Sequence, residues 1–309
     1  MIAPATGTLV LVGTSIGNLG DIAPRAVAVL TDAEVIACED TRNLRKLLSA
    51  MGVSAKGKRL LVMADHNEAA AVRQVLDLLD KGTRVALVTD AGMPAISDPG
   101  ERVVAAAAGA GHTVEVVPGP SAALAGLVVS GLPTHRFAFE GFLPRKGSGR
   151  TDRVKAVAAD PRTTVLYEAP HRVRQTIADL AGACGPLRRV ALARELTKLH
   201  EEVFRGTLGS AAEHLDATEP RGEFVVVLDG APPAPPAGPD DIAAALAARL
   251  QTGQSKKDAI AAVAADLGVP KRRVYDIALE ASGEPAPATP ATPASVPAPS
   301  APASPPEGP

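Results

Sequence analysis

Aromatic residues make up only 2% of the 309-residue chain, and tryptophan is absent. The core must therefore be built from Ala, Val and Leu, and a base-stacking platform of exposed rings is disfavoured. The two cysteines, Cys38 and Cys184, have no CxxC partner, so a reduced, cytoplasmic protein without structural disulfides is expected. Histidines at 66, 112, 135, 171, 200 and 214 include no pair at zinc-ligand spacing, and no metal site is expected. The N-terminal MIAPATGTLVLVGTS lacks the basic segment of a signal peptide. The longest uncharged stretch, 116–133, is broken by Pro118, Gly119, Pro120 and Gly126, so no membrane span is expected.

What is present is ordinary for a globular protein: 46% hydrophobic and 21% charged residues, in a chain long enough for two domains. The net charge of −2 argues against a nucleic-acid binder until its distribution is considered. Residues 134–206 carry 14 Lys and Arg against 8 Asp and Glu, whereas the segments on either side are acidic. Such a basic middle segment is what a polyanion-binding face requires, although a solvated helix surface would look the same.

Five strand and helix units alternate over the first 130 residues. Their strands are the apolar runs 8–13 (TLVLVG), 34–37, 59–63 (RLLVM), 85–88 and 113–117. This alternation specifies a parallel sheet covered on both faces, with ligands beyond the carboxyl ends of the strands. At that edge stand Gly-rich or polar loops: TSIGNLGD from 14, the Glu39–Arg42 cluster, Asp65 to Glu68, 90–100 and 118–121. The glycines at 13, 17 and 20 do not have the GxGxxG spacing, which disfavours a nicotinamide oxidoreductase. Each loop also has a plainer reading, since Asp40, Thr41 or Asn67 could simply cap a helix.

From 134 the pattern changes. FAFEGF alternates as a strand, Leu143 to Arg153 reads as a flexible basic loop, and TTVLYEAP is a strand ending in Tyr167 and Glu168. A helix at 171–183 and strands at 189–193, 202–207 and 223–228 complete a second, mixed sheet with antiparallel pairs. GAPPAPPAGP at 230–239 is a stiff linker. Helices at 240–250 and 257–267, and a third after GVPKRR, form a small module resembling a helix-turn-helix. The expected organisation is a first α/β domain over 1–120, a second over 121–229, the linker, the helical module over 240–283, and a disordered Pro/Ala tail over 284–309.

The joint order of the loop motifs is more specific than any one of them. TSIGNLGDI (14–22), EDTR (39–42), HNE (66–68), DAGMPAISDPG (90–100) and VPGPSA (117–122) are followed by SGLP (130–133) and FEGFLPRK (139–146). YEAPHR (167–172), ELTKLHEE (195–202) and GEFVVVL (222–228) complete the series. From about residue 7 to 229 the chain resembles the ribosomal RNA small-subunit methyltransferase I family, within the tetrapyrrole-methylase fold of two αβα domains. Ser15 stands where that family usually has Pro, and Met93 where it usually has Thr.

The resemblance implies S-adenosylmethionine-dependent methylation of the ribose 2′-hydroxyl of a cytidine in the decoding region of 16S rRNA. It implies a homodimer whose partner is the rRNA or the small ribosomal subunit. By position, the cofactor would lie against Asp90, Gly92, Pro94 and Ile96, against Ser121 and Ala122, and near Leu166, with Thr14 and Gly17 as further candidates. Candidates for the proton acceptor at the sheet edge are Glu39, Asp40, His66, Glu68, Glu168, Glu195 and Lys198, and the residues leave the choice open. Phosphate contacts are expected from Arg145, Lys146, Arg150, Arg172 and Lys198, with Arg42 facing the RNA or held by the acids beside it. Two other readings stand beside this one: a tetrapyrrole C-methyltransferase of the same fold, and a noncatalytic RNA-binding or assembly protein.

Overall fold

The computed structural model describes residues 6–64, 67–233 and 236–282, so the candidate His66 and the tail at 284–309 lie outside the described residues. The chain divides into two compact units between Pro232 and Pro233. The first unit contains two five-stranded sheets.

In the first sheet, β1 (Thr8–Val12), β2 (Val35–Cys38), β3 (Arg59–Val62), β4 (Arg84–Val88) and β5 (Thr113–Val117) are all parallel, in the order β3-β2-β4-β1-β5. Alternate side chains of a strand point to opposite faces, so these apolar strands feed two cores. Leu9, Ala37, Val85 and Leu87 pack against α3 (Glu68–Leu79) and α4 (Glu101–Gly109). Val10, Ile36, Cys38 and Ala86 pack against α1 (Pro24–Asp32) and α2 (Thr41–Ala50). The covered parallel sheet expected from the strand and helix alternation is what forms.

The second sheet has the order β6-β7-β10-β8-β9, from β6 (Phe137–Phe142), β7 (Thr163–Glu168), β8 (Arg189–Arg194), β9 (Glu202–Thr207) and β10 (Phe224–Leu228). Only β6 and β7 are parallel; the other three pairs are antiparallel, as the scarcity of crossover helices predicted. One face carries Leu166, Leu192 and Val226 against α6 (Ser148–Ala159), α7 (Val173–Cys184) and α8 (Leu208–Ala217). The opposite face carries Val165, Ala191 and Val225 against α5 (Ala122–Ser130), together with Ile16 from the loop after β1. That helix sits close on the sheet, because a Cβ on Gly126 would lie 2.6 Å from Val225 Cγ1.

One expectation fails here. The segment 143–153 is not a continuous flexible loop, because α6 begins at Ser148. Val154 and Val157 give this helix a buried face, and Arg150 turns inward with them. The second unit is three helices, α9 (Pro239–Gln251), α10 (Lys256–Asp266) and α11 (Lys271–Ser282), around a core that includes Ile242, Leu246, Val263 and Val274. Among the described residues no helix is long and apolar enough to cross a membrane.

Candidate active site

Strand order decides which loops meet. Since β1 lies between β4 and β5, the loops after these three strands stand side by side, and their backbones interlock. The Thr14 amide donates to the Gly92 carbonyl at 2.8 Å, and the Gly92 amide donates to the Ser15 carbonyl at 3.3 Å. Gly13 and Gly119 touch backbone to backbone: a Cβ on Gly13 would lie 2.6 Å from the Gly119 nitrogen. Met93 completes the contact, its sulfur accepting from the Gly119 amide at 3.2 Å. Gly92 has a φ of +75°, a conformation that favours glycine, and a Cβ there would press on the Ile16 Cγ2 methyl at 3.3 Å, with the Pro120 carbonyl in contact at 3.4 Å.

These loops form one side of a cleft of about 540 Å³, a size usual for small-ligand sites. The other side is the edge of the second sheet where β7 and β8 end and β10 begins. Both sides are held in unusual backbone conformations: Ala95 and Ser97 on one, Glu195 and Thr197 on the other, have φ between +49° and +68°. For residues with a side chain this costs about 1–2 kcal/mol each and clusters where geometry is functionally constrained.

Of the expected cofactor residues, Asp90, Gly92, Ile96, Ser121 and Ala122 line the cleft. Thr14, Gly17, Pro94 and Leu166 do not. Thr14 is buried against Gly92, and Lys198 lies over Gly17, leaving no space for a Cβ there. The Leu166 side chain packs with Leu143 and Ile177 on the far face of the sheet, while its neighbour Tyr167 faces the cleft. The Tyr167 hydroxyl accepts from the Ala123 amide at 3.1 Å, fixing the start of α5 at the cleft edge. Burial raises its pKa despite hydrogen bonds to Ala123 and Ser121.

Several candidate acids are already engaged in structural roles. Asp40 caps α2 through the Arg42 amide and forms a 2.7 Å ion pair with the Arg42 guanidinium. The hydrogen bonds from that guanidinium and amide hold the Asp40 carboxyl at about 2. Glu68 accepts from the Gly100 amide and pairs with Arg102, bracing the 90–100 loop. Glu168 lines the cleft but is buried, accepting from the Thr176 hydroxyl at 2.6 Å and the Ala169 amide at 2.9 Å, with Arg172 at 3.3 Å. Glu195 and Lys198 pair at 3.1 Å within the cleft. Burial pushes the Glu195 carboxyl up, but hydrogen bonds from Lys198 and the Glu223 amide outweigh it and leave its pKa lowered. Burial likewise pulls the Lys198 ammonium down, and its carboxylate partners more than reverse this, so it stays charged.

Glu39 lines the cleft, as do His171 and Glu223, which the sequence reading did not single out. His171 stands two residues before α7 and is exposed. Both missed residues belong to motifs already noted, YEAPHR and GEFVVVL, and both flank strand ends; that position was the available signal.

A second groove, about 790 Å³, runs between α6 and α7, with Arg145, Lys146 and Lys155 exposed along it. Arg150 is at its base but is committed internally, at 2.7 Å to Asp179 and 3.0 Å to both the Pro144 carbonyl and the Thr176 hydroxyl. Arg172 is similarly spent on Glu168 and on the Leu143 carbonyl at 2.6 Å. Two of the expected phosphate ligands thus hold the fold together.

Residues 8–212 match the family model for tetrapyrrole (corrin/porphyrin) methylases, and 236–282 match the one for the RsmI C-terminal HTH domain. The chain is 42% identical over 288 residues to ribosomal RNA small subunit methyltransferase I of Mycobacterium tuberculosis (strain CDC 1551 / Oshkosh), covering 93% of this chain and 100% of that protein. It is 47% identical over 227 residues to the protein of the same name from Xylella fastidiosa (strain Temecula1 / ATCC 700964), covering 73% and 82%. Among solved structures, uroporphyrin-III C-methyl transferase from Thermus thermophilus complexed with S-adenyl homocysteine superposes with a TM-score of 0.51 at 21% identity, over 72% of this chain and 97% of that one. With both the methylase part and the helical module matched, the chain belongs to the ribosomal RNA small subunit methyltransferase I family, methyltransferases built on the tetrapyrrole methylase fold.

Proposed function

We propose that the protein transfers the methyl group of S-adenosylmethionine to the ribose 2′-hydroxyl of a cytidine in 16S rRNA, in the decoding region of the small subunit. The observation that carries the reading is the cleft itself, where backbone-built loops of one sheet face the strand ends of another. The relatives named for small-subunit rRNA methylation support RNA as the acceptor, and so does the exposed cationic groove between α6 and α7.

The cleft suits the cofactor. Asp90, Asp98 and Glu223 along it complement a cationic sulfonium, and the glycine-lined backbone at Gly92 allows close approach of a flat ligand. When bound, S-adenosylmethionine supplies a methyl group already activated by the sulfonium. What remains for the chain is to orient the ribose hydroxyl, exclude water and accept a proton. The charged Lys198 serves as a phosphate or carboxylate partner and not as a base. With Asp40, Glu68 and Glu168 engaged elsewhere, His171, exposed at the cleft, is the residue to which we assign proton acceptance. Arg145 and Lys146 contact RNA phosphates. Two copies associate through the exposed apolar stripe of Leu124 and Val128 on α5, and the protein acts in the cytoplasm, on ribosomes.

The test is to incubate the protein with labelled S-adenosylmethionine and, separately, unmethylated small subunits, naked 16S rRNA and a tetrapyrrole precursor. Label is expected in a cytidine 2′-O-methyl group of the RNA. Label confined to the tetrapyrrole would refute the acceptor, and RNA binding without label would support the noncatalytic reading.

A further inference from the structure

The residues lining the cleft all belong to the first unit, and the C-terminal module carries a charged surface of its own. Helices α10 and α11 are joined by only four residues, 267–270, in which Gly268 has a φ of +60°. Ala264, Val269, Val274 and Ala278 are buried in the module's core. A short glycine turn between two helices packed in this way is the helix-turn-helix arrangement, in which the N-terminal part of the second helix projects outward. On α11 that part carries Lys271 and Arg272, both exposed, with Tyr275 one turn on and 43% exposed.

The module has as many acidic as basic residues among its described positions, so its overall charge does not attract a polyanion. Three of its six acids are engaged, two at helix starts and one in an ion pair. Asp241 accepts from the Gly238 amide at the start of α9, Asp258 accepts from Ser255 at the start of α10, and Asp266 pairs with Arg249. Among the described residues, Lys257, Lys271, Arg272 and Arg273 form no ion pair, and Asp276 and Glu280 lie farther along α11. Exposed positive charge therefore gathers at the start of α11, and Lys257 adds another exposed cation at the start of α10. Tyr275 is one of two tyrosines in a chain with almost no aromatic residues. Exposed beside those cations, it can stack on a base as well as fill space.

We propose that this module is a second RNA-binding site, distinct from the methyl-transfer cleft, which grips structured RNA by its backbone phosphates through Lys257, Lys271 and Arg272 with Tyr275 stacking on an unpaired base. The choice of RNA over DNA rests on the function proposed above. It also fixes the mode of contact. An A-form major groove is too deep and narrow to admit α11, so the helix reads phosphates and shape, and not base edges. The module thus sets affinity for the substrate and leaves the chemical step alone.

The test uses the full chain, comparing wild type with the Lys271→Glu/Arg272→Glu double variant and with Tyr275→Ala. Binding to naked 16S rRNA, to small subunits and to a duplex DNA is measured without S-adenosylmethionine over a range of salt. Methyl transfer and S-adenosylmethionine affinity are measured in parallel, and thermal unfolding confirms that the variants fold. The double variant is expected to bind RNA at least tenfold more weakly and to lower the salt slope by about two, one unit per lost phosphate contact. Its KM for RNA should rise with kcat and cofactor affinity unchanged, and Tyr275→Ala should weaken binding without altering the slope. Unchanged RNA affinity and slope in the double variant, a fall in kcat alone, or a wild-type preference for duplex DNA would each overturn the inference. Because binding is read without methyl transfer, loss of RNA affinity in the variant supports the module's role even if no acceptor is methylated, which is the failure of the other reading.

Discussion

Gly13→Ala isolates the part of the architecture on which the cleft depends. A Cβ at this position would sit 2.6 Å from the Gly119 nitrogen, 2.7 Å from the Gly119 Cα and 2.7 Å from the Met93 sulfur. Relaxed carbon contacts lie near 3.5–4.0 Å, so the 118–121 loop must retreat by about 1 Å. Met93 can swing aside, but the Gly119 backbone has no rotamer to change. Overpacking of this kind costs about 1–3 kcal/mol. The retreating loop also carries Ser121 and Ala122 in the cleft wall, and a displacement of about 1 Å at a reacting site can cost on the order of 100-fold in rate. Urea unfolding should give the stability loss, calorimetry a weakened S-adenosylmethionine affinity, and the transfer assay a larger loss of rate. Gly182→Ala is the control: that glycine lies within α7 with open space around it, and alanine there should stabilise by roughly 0.5–1 kcal/mol. If Gly13→Ala unfolds at the wild-type urea concentration and binds cofactor normally, the interlocked loops do not shape the cleft.

Arg150→Ala should destabilise by about 2–3 kcal/mol in urea unfolding, because it removes the buried ion pair with Asp179 and the hydrogen bonds to the Pro144 carbonyl and the Thr176 hydroxyl. Arg145→Ala, on the exposed rim of the same groove, should change stability by less than about 0.5 kcal/mol while weakening RNA binding. The Asp40 carboxyl, held at about 2 against an ordinary 3.8, favours the folded state once ionised. That contribution is complete above the unfolded value and is lost as pH falls through about 2, and the carboxyl's chemical shift in an NMR titration should show the low midpoint. Cys38, whose thiol is pushed up to about 12 by burial and then by the nearby Asp90 carboxylate, should resist alkylation at pH 8 in the native protein and react after denaturation, followed by mass spectrometry.

The elements were legible where local pattern decides them. Runs such as TLVLV and RVALV read as strands and form strands, and α5 falls at 122–130 as its composition predicted. Strand order was not legible: nothing in β1 announces that β4 and β5 flank it, so the contact of Gly13 with Gly119 had no local signal. The loop motifs located the cleft, but side-chain direction within them depended on partners distant in sequence. Arg150 faces inward because Asp179 and Thr176 on α7 wait for it, and Leu166 faces away from the cleft because the two-residue period of β7 gives that side to Tyr167. Asp40 had two readings on sequence, cap or chemistry, and the Arg42 amide decides for the cap.

The two sides of the cleft are unequal in their freedom to change. The loops of the parallel sheet hold one another glycine against glycine, so an inserted residue in one disturbs the others. The facing wall comes from an antiparallel sheet, where the connections at 195–201 and 218–223 meet at the cleft edge through side chains, Glu195 pairing with Lys198 and accepting from the Glu223 amide. Mutation therefore meets different obstacles in the two halves, one frozen by backbone contact and the other held by side chains that can be exchanged. On the proposed reading, a lineage inherits its methyl donor with the frozen half and can acquire a new acceptor by rewriting two short connections. Such an asymmetry gives a physical route by which one fold serves different methyl acceptors.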